Sequence, residues 1–241
     1  MPHRLSVAAL ALAGFSLASA SSASAHEFLL APVEGGQVRV ESTHVFIEPK
    51  KMVNPDEASA FLVGEDGREK LSLSEGDSGK GLVADLPRQK GSGMITSRRQ
   101  LQFWSKTADG WKRGGGERWP EADSVETYEK FAKTPLDPSE VPGEPVGQPL
   151  EIVVSGGAES LSAGESVTVQ VLDDGRPVPA RAAAALAGAT REPLGYAAVS
   201  DPSRNEAGEP VVEVPISSPG VWVLRAQRAM PGEDGLDWRV R

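Results

Sequence analysis

The chain contains no cysteine. Disulfides, thiolate nucleophiles and soft thiolate metal sites are therefore excluded together. Any metal must be held by histidine, carboxylate, methionine, backbone or a terminal amine. Histidine is nearly as scarce, with three in 241 residues. So few argue against a Ser-His-Asp or Cys-His nucleophile. No basic stripe offsets the formal net charge of −9, which makes nucleic acid and anionic membrane surfaces poor partners. Helical periodicity is rare, and beyond residue 25 no apolar run reaches the length of a membrane span.

The first residues read as a leader. Arg4 supplies a basic start, Leu5 to Ala20 an apolar stretch, and Ala23-Ser24-Ala25 a small-residue cleavage signal. Cleavage after Ala25 would make His26 the first residue of an exported chain of about 216 residues. His3 leaves with the leader, so only His26 and His44 remain.

Short alternation is abundant. Gln37-Val38-Arg39-Val40-Glu41, Ser166-Val167-Thr168-Val169-Gln170-Val171 and Val221-Trp222-Val223-Leu224-Arg225 are examples. Turn residues separate such runs, as in Gly64-Glu65-Asp66-Gly67 and Asp173-Asp174-Gly175. The pattern predicts a mainly β protein built of two immunoglobulin-like β-sandwich domains. One segment departs from it. Asp123 or Ser124 offers a cap, and Val125, Tyr128, Phe131 and Ala132 recur at helical spacing. That predicts a short amphipathic helix over 123–133. Five prolines between 135 and 149 then predict a linker. The expected organisation is a cleaved leader over 1–25, an N-terminal β domain over 26–133, a Pro-rich linker over 134–149 and an immunoglobulin-like sandwich over 150–241. The Ala-rich stretch 180–189 reads equally as a strand or a short helix.

A histidine that starts a chain offers its α-amine and its imidazole to one ion. A second imidazole completes three nitrogens, a histidine brace, which suits Cu, Ni, Co or Zn. Gly35-Gly36 separates two strand candidates, and a hairpin centred on Gly35 makes partner numbers sum to 70. Leu30 then opposes Val40, Phe28 opposes Ser42, and His26 opposes His44, all on one face. Directly opposed Cβ atoms lie about 4.5–5.5 Å apart, within reach of a shared ion. Against this, His44 shares parity with Val38, Val40 and Phe46, which also suits a hydrogen-bonded core histidine. Glu27, Glu41 and Glu48 could orient an imidazole from behind, or be solvated strand residues. Met52 and Met94 read as soft ligands or as core filler. Gly114-Gly115-Gly116, between Trp111 and Trp119, does not join a strand to a helix. It is no phosphate loop and reads as a flexible surface loop.

The start His26-Glu27-Phe28-Leu29-Leu30-Ala31-Pro32, followed by Thr43-His44-Val45-Phe46, resembles a family of periplasmic proteins. Its members begin, after leader cleavage, with His-Glu-Phe-Trp-Leu-x-Pro and later carry a Gly-His-x-Phe motif. Leu29 replaces the tryptophan and Thr43 the glycine. Tyr128-Glu129-Lys130-Phe131-Ala132-Lys133 is similar to the family's Tyr-x-x-Tyr-Ala-Lys helix. Gln148-Pro149-Leu150-Glu151-Ile152-Val153, Leu172-Asp173-Asp174-Gly175-Arg176-Pro177-Val178 and Pro219-Gly220-Val221-Trp222-Val223-Leu224-Arg225-Ala226 match later motifs in order, and Asp237-Trp238 matches the last. The family, of formerly unknown function, is associated with nickel/cobalt transport. The resemblance implies a periplasmic binding protein without turnover that passes nickel or cobalt to a membrane uptake transporter. Relatives often carry a histidine where this chain has Gln227-Arg228-Ala229-Met230, and run through a further strand after Asp-Trp. Both departures imply an altered site and an unfilled sheet edge. Two other readings stay open. One is a copper-holding brace, in a chaperone, a resistance protein or an oxidative enzyme. The modest aromatic content gives the enzyme little support. The other is a β-sandwich interaction module without metal.

Overall fold

The computed structural model describes residues 27–33, 36–43, 53–76, 81–87, 93–137, 143–156, 164–186, 198–232 and 236–241. In its first half the chain forms β1 (Glu27–Val33), β2 (Gln37–Thr43), β3 (Ala58–Gly64), β4 (Gly67–Leu71), β5 (Ser74–Glu75), β6 (Leu82–Asp85), β7 (Met94–Thr107), β8 (Gly110–Arg113) and β9 (Ser124–Pro135). A single 3-10 turn, Pro55–Glu57, precedes β3, and no α-helix occurs among the described residues. One sheet runs β1-β2-β6-β5 and a second contains β9-β7-β3-β4, with β8 hydrogen-bonded to β7. They share a core in which Phe28, Leu30, Val38 and Val40 meet Leu62 and Ile95. The alternation seen in the sequence explains this packing, since residues two apart on a strand share a face.

The expected helix over 123–133 is not there. Ser124–Pro135 is a twelve-residue strand that pairs antiparallel with β7 along most of its length. Two causes outweigh the helical spacing. The segment is rich in β-branched and aromatic residues, Val125, Thr127, Tyr128, Phe131 and Thr134, which favour a pleated surface. A fourteen-residue neighbour also offers a full ladder, and tertiary pairing overrides weak local preference. The aromatics fall on opposite faces, with Tyr128 on one and Phe131 on the other.

The second half forms β10 (Leu150–Gly156), β11 (Ser166–Asp173), β12 (Arg176–Pro177), β13 (Ala182–Leu186), β14 (Ala198–Ser200), β15 (Ser203–Arg204), β16 (Pro210–Pro215) and β17 (Trp222–Ala226). These make two antiparallel sheets, β10-β11-β16-β15 with β12 on β11, and β14-β13-β17. Val154, Val169, Ala184 and Val214 fill the core between them. The described part of the Ala-rich stretch is therefore a strand over Ala182–Leu186, in which Ala182, Ala184 and Ala185 lie buried. Between the paired Asp173 and Arg176, Asp174 and Gly175 have φ of +47° and +76°, the left-handed pair that a tight hairpin needs.

The chain then returns. β18 (Ala229–Pro231) and β19 (Trp238–Val240) form a hairpin, and β19 pairs parallel with β9, not with the second-half sheets. The first-half sheet thus reads β18-β19-β9-β7-β3-β4. The segment expected as a linker starts inside β9, and its described end is pinned. Buried Gln148 donates through its side-chain amide to the carbonyls of Ser97 (3.2 Å) and Ala132 (3.0 Å). Beside it, Val146, Gly147 and Gln148 donate backbone N–H groups to the Glu151 carboxylate at 2.7, 3.1 and 3.2 Å. Lys133 Nζ reaches the same carboxylate at 2.6 Å.

Candidate metal-binding hairpin

The β1–β2 hairpin carries the strongest sequence signal. Its register runs Val33↔Gln37, Pro32↔Val38, Leu30↔Val40, Phe28↔Ser42 and Glu27↔Thr43, so every pair sums to 70. This is the register expected of a turn centred on Gly35. Gly36 has φ of +80° and nothing within 4 Å of where a Cβ would sit, so its role is conformational and not steric. A three-residue loop with glycine in the left-handed region matches the twist of the strands it joins.

Both faces of the hairpin are covered. Phe28, Leu30, Val38 and Val40 face the first-half core, and Ser42 continues that row, also buried. On the other face Leu29, Ala31 and Glu41 are buried as well. β1 ends its sheet and lies close to β9 and β7 of the other sheet.

His26 and His44 lie outside the described residues, as do Glu48 and Met52. Glu27 is the first residue of β1, and its backbone opposes Thr43. Glu41 corrects the expectation of a solvated strand residue. It is 1% exposed and accepts from Arg39 Nε at 3.0 Å. Strand parity sets it on the face away from Ser42, so its side chain serves the Arg39 pair. Met94 opens β7 opposite Pro135, in the other sheet. Among the described residues no three His, Cys, Asp or Glu side chains form a group that could hold a metal.

Three carboxylates that the sequence did not flag organise the rest of the molecule. Glu57 sits on the 3-10 turn before β3 and accepts from Arg99 (3.1 Å), Gln102 (3.0 Å) and Arg113 (2.7 Å). Burial pushes its pKa up, but hydrogen bonds from Arg113, Arg99 and Asn54 outweigh that and hold it at about 2. Glu129, buried in β9, is ringed by Arg98, Arg239 and Arg241. Glu151 is the acceptor for Lys133 described above. Burial lowers the Lys133 pKa, and Glu151 opposes that effect. Burial also raises the Tyr128 pKa, helped by its hydrogen bond to Glu126. Each is a paired structural charge. In the sequence Glu129 and Glu151 show only as charged residues inside otherwise strand-like runs, and Glu57 only as an acid in a turn sequence.

The glycine run 114–116 is not a loose loop. Ser105 Oγ donates to the Gly114 carbonyl at 2.8 Å, and Trp119 Nε1 to the Arg113 carbonyl at 3.1 Å. Gly115 passes over the Phe103 ring, 3.5 Å from where its Cβ would be. A bulge in β7 between Arg99 and Gln102 contains the exposed Leu101, which with exposed Phe103 borders a shallow depression that has Arg118 on its rim.

The architecture is that of a β protein with two packed halves joined by a returning C-terminal hairpin. Residues 23–229 match the family model of DUF4198, a domain of unknown function, and the chain belongs to that family. No curated protein and no solved structure matches it.

Proposed function

We propose that this protein is an exported, periplasmic binder of a divalent transition metal, with nickel or cobalt as its cargo and a membrane uptake transporter as its recipient. His26 contributes its α-amine and imidazole, and His44 a second imidazole. Of the candidate carboxylates, Glu48 is the one left to orient the rings, since position 27 falls in the same strand row as Glu41. The second half, immunoglobulin-like in this reading, serves as a buttress, and the protein turns nothing over.

One observation carries the reading. The hairpin register ends at Glu27↔Thr43, and the next residue outward in the chain on each strand is a histidine. The same register, continued one step, opposes His26 to His44. Burial of both faces beneath that end favours a rigid frame, and rigid frames hold ligands more accurately than loops do. The donor chemistry fits, because three neutral nitrogens suit late first-row divalent ions.

The test is a titration with Ni(II) of chain beginning at His26 and of chain carrying one extra residue before it. The extra residue turns the α-amine into an amide and removes the chelate. The expected result is one tightly bound ion per chain beginning at His26, with affinity collapsing in the extended form. Equal affinity in the two forms would remove the N-terminal site. Affinity should also fall as pH drops through about 8 to 6, because the amine and both imidazoles must lose protons to bind.

A further inference from the structure

β9 is gripped from three sides by three parts of the molecule. Its inner face belongs to the first-half core, where Ala132 packs in the cluster that holds Phe28, Leu30 and Val40 of the hairpin. Its outer face belongs to the second half, where Phe131 packs against Leu150, Val171 and Ala180. Its edge belongs to the C-terminal hairpin, through the pairs Trp238↔Glu126, Arg239↔Thr127 and Val240↔Tyr128. Asp237 closes this contact from both ends. Its carboxylate accepts from Val125 N at 2.7 Å, and its own N–H donates to the Val125 carbonyl at 2.8 Å.

Arg241 spans the halves. Its Nη1 lies 2.7 Å from Asp173 and 3.1 Å from Asp174, on the turn after β11, and its Nε lies 3.7 Å from Glu129 on β9. Arg228, opposite Arg241 at the same open end of the hairpin, also pairs with Asp173. Backbone bonds of 3.0 Å in both directions tie Arg228 to Arg241. The arginine side chain is 8% exposed and Glu129 2% exposed, so neither charge can fall back on bulk water if the other is removed.

We propose that the C-terminal hairpin is a clasp that stabilises the β1–β2 hairpin through β9, so that the second half sets the rigidity of the N-terminal site. The clasp holds β9 in place, and β9 in turn covers the end strand β1. Loosening the clasp lets β9 move away from β1, and the hairpin opens by local fluctuation without unfolding of the whole chain. The coupling is a property of the metal-free fold. Its consequence for metal capture rests on the function proposed above.

Amide hydrogen exchange, measured by mass spectrometry with a chelator present, tests this without relying on metal. Two variants are compared with the native chain. Arg241→Gln removes the buried cation, and Asp237→Ala removes an exposed hydrogen-bond acceptor and leaves the core untouched. In both, amides of 229–232 and 236–241 should exchange at least about tenfold faster, and amides of 27–33 and 36–43 should follow. Amides of the β11–β16 ladder, deep in the second-half core, should not change. Faster exchange in the clasp with an unchanged hairpin would overturn the proposal. So would equal acceleration in the hairpin and the β11–β16 ladder, which marks a general loss of stability and not transmission through β9. A chain that shows the expected pattern yet binds no Ni(II) keeps the clasp and loses the metal reading.

Discussion

Replacing Glu151 by glutamine should destabilise the protein by about 3–5 kcal/mol at pH 7, the usual cost of breaking a buried ion pair from one side. The magnitude follows from the surroundings. The Glu151 side chain is 1% exposed and Lys133 is 7% exposed, so the lysine is left as an orphan cation with little access to water. Glutamine can still accept from one or two of the backbone N–H groups of Val146, Gly147 and Gln148, but it carries no charge for Lys133. For a chain of this size the loss corresponds to about 6–20 °C in Tm. The pH dependence carries a sign of its own. Burial already lowers the Lys133 pKa below its ordinary 10.5, and removing Glu151 removes the opposing effect. In the variant the unfolded chain therefore binds more protons than the folded one between the lowered pKa and about 10.5. Stability should rise with pH through that window, and the deficit against the native protein should shrink toward pH 10. Urea denaturation followed by circular dichroism at pH 7 and pH 9.5 measures both effects. Adding Lys133→Met should recover most of the loss, because it removes the orphan charge. A deficit below about 1 kcal/mol, or a double variant no better than the single one, would refute the reasoning.

Three further outcomes are expected. Glu57, held at about 2 against an ordinary 4.5, stays ionised where its unfolded counterpart protonates. Stability should therefore fall by about 3 kcal/mol between pH 4.5 and pH 2, and Glu57→Gln should flatten that part of the profile in acid titration. Leu82→Ala empties a fully buried position in the first-half core and should cost about 2–5 kcal/mol in urea denaturation. Gly36→Ala meets no neighbour but forces a side chain into positive φ, which should cost about 1–2 kcal/mol and leave the hairpin register unchanged by NMR.

How far the fold was legible depends on whether its determinants were local. The strands at Gln37–Thr43 and Ser166–Asp173, and the turn at Asp173-Asp174-Gly175, are set by alternation and by residues that tolerate positive φ. A reading along the chain finds them. The hairpin register was legible only in part, because the glycine pair also allows a turn centre shifted by one, and the observed pairs select the centre at Gly35. Ser124–Pro135 was not legible. Its apolar residues satisfy a helical spacing as well as a strand, and the choice was made by β7, which lies elsewhere in sequence. The return of residues 238–240 to β9 was hidden likewise, since a three-residue strand carries no pattern of its own. Glu41 read as solvated because alternation names two faces but does not say that both are covered. The candidate ligands His26 and His44 were found from scarcity and position in the sequence, not from their surroundings.

Whether the rings of His26 and His44 share one ion is probed most directly with Cu(II). Copper binds such donors more tightly than nickel or cobalt, and its electron paramagnetic resonance spectrum reports the number of coordinated nitrogens. Protein beginning at His26, loaded with one equivalent of Cu(II), should show three nitrogen donors. His44→Ala should show two from the protein, with weakened binding. An unchanged spectrum in His44→Ala would contradict the account.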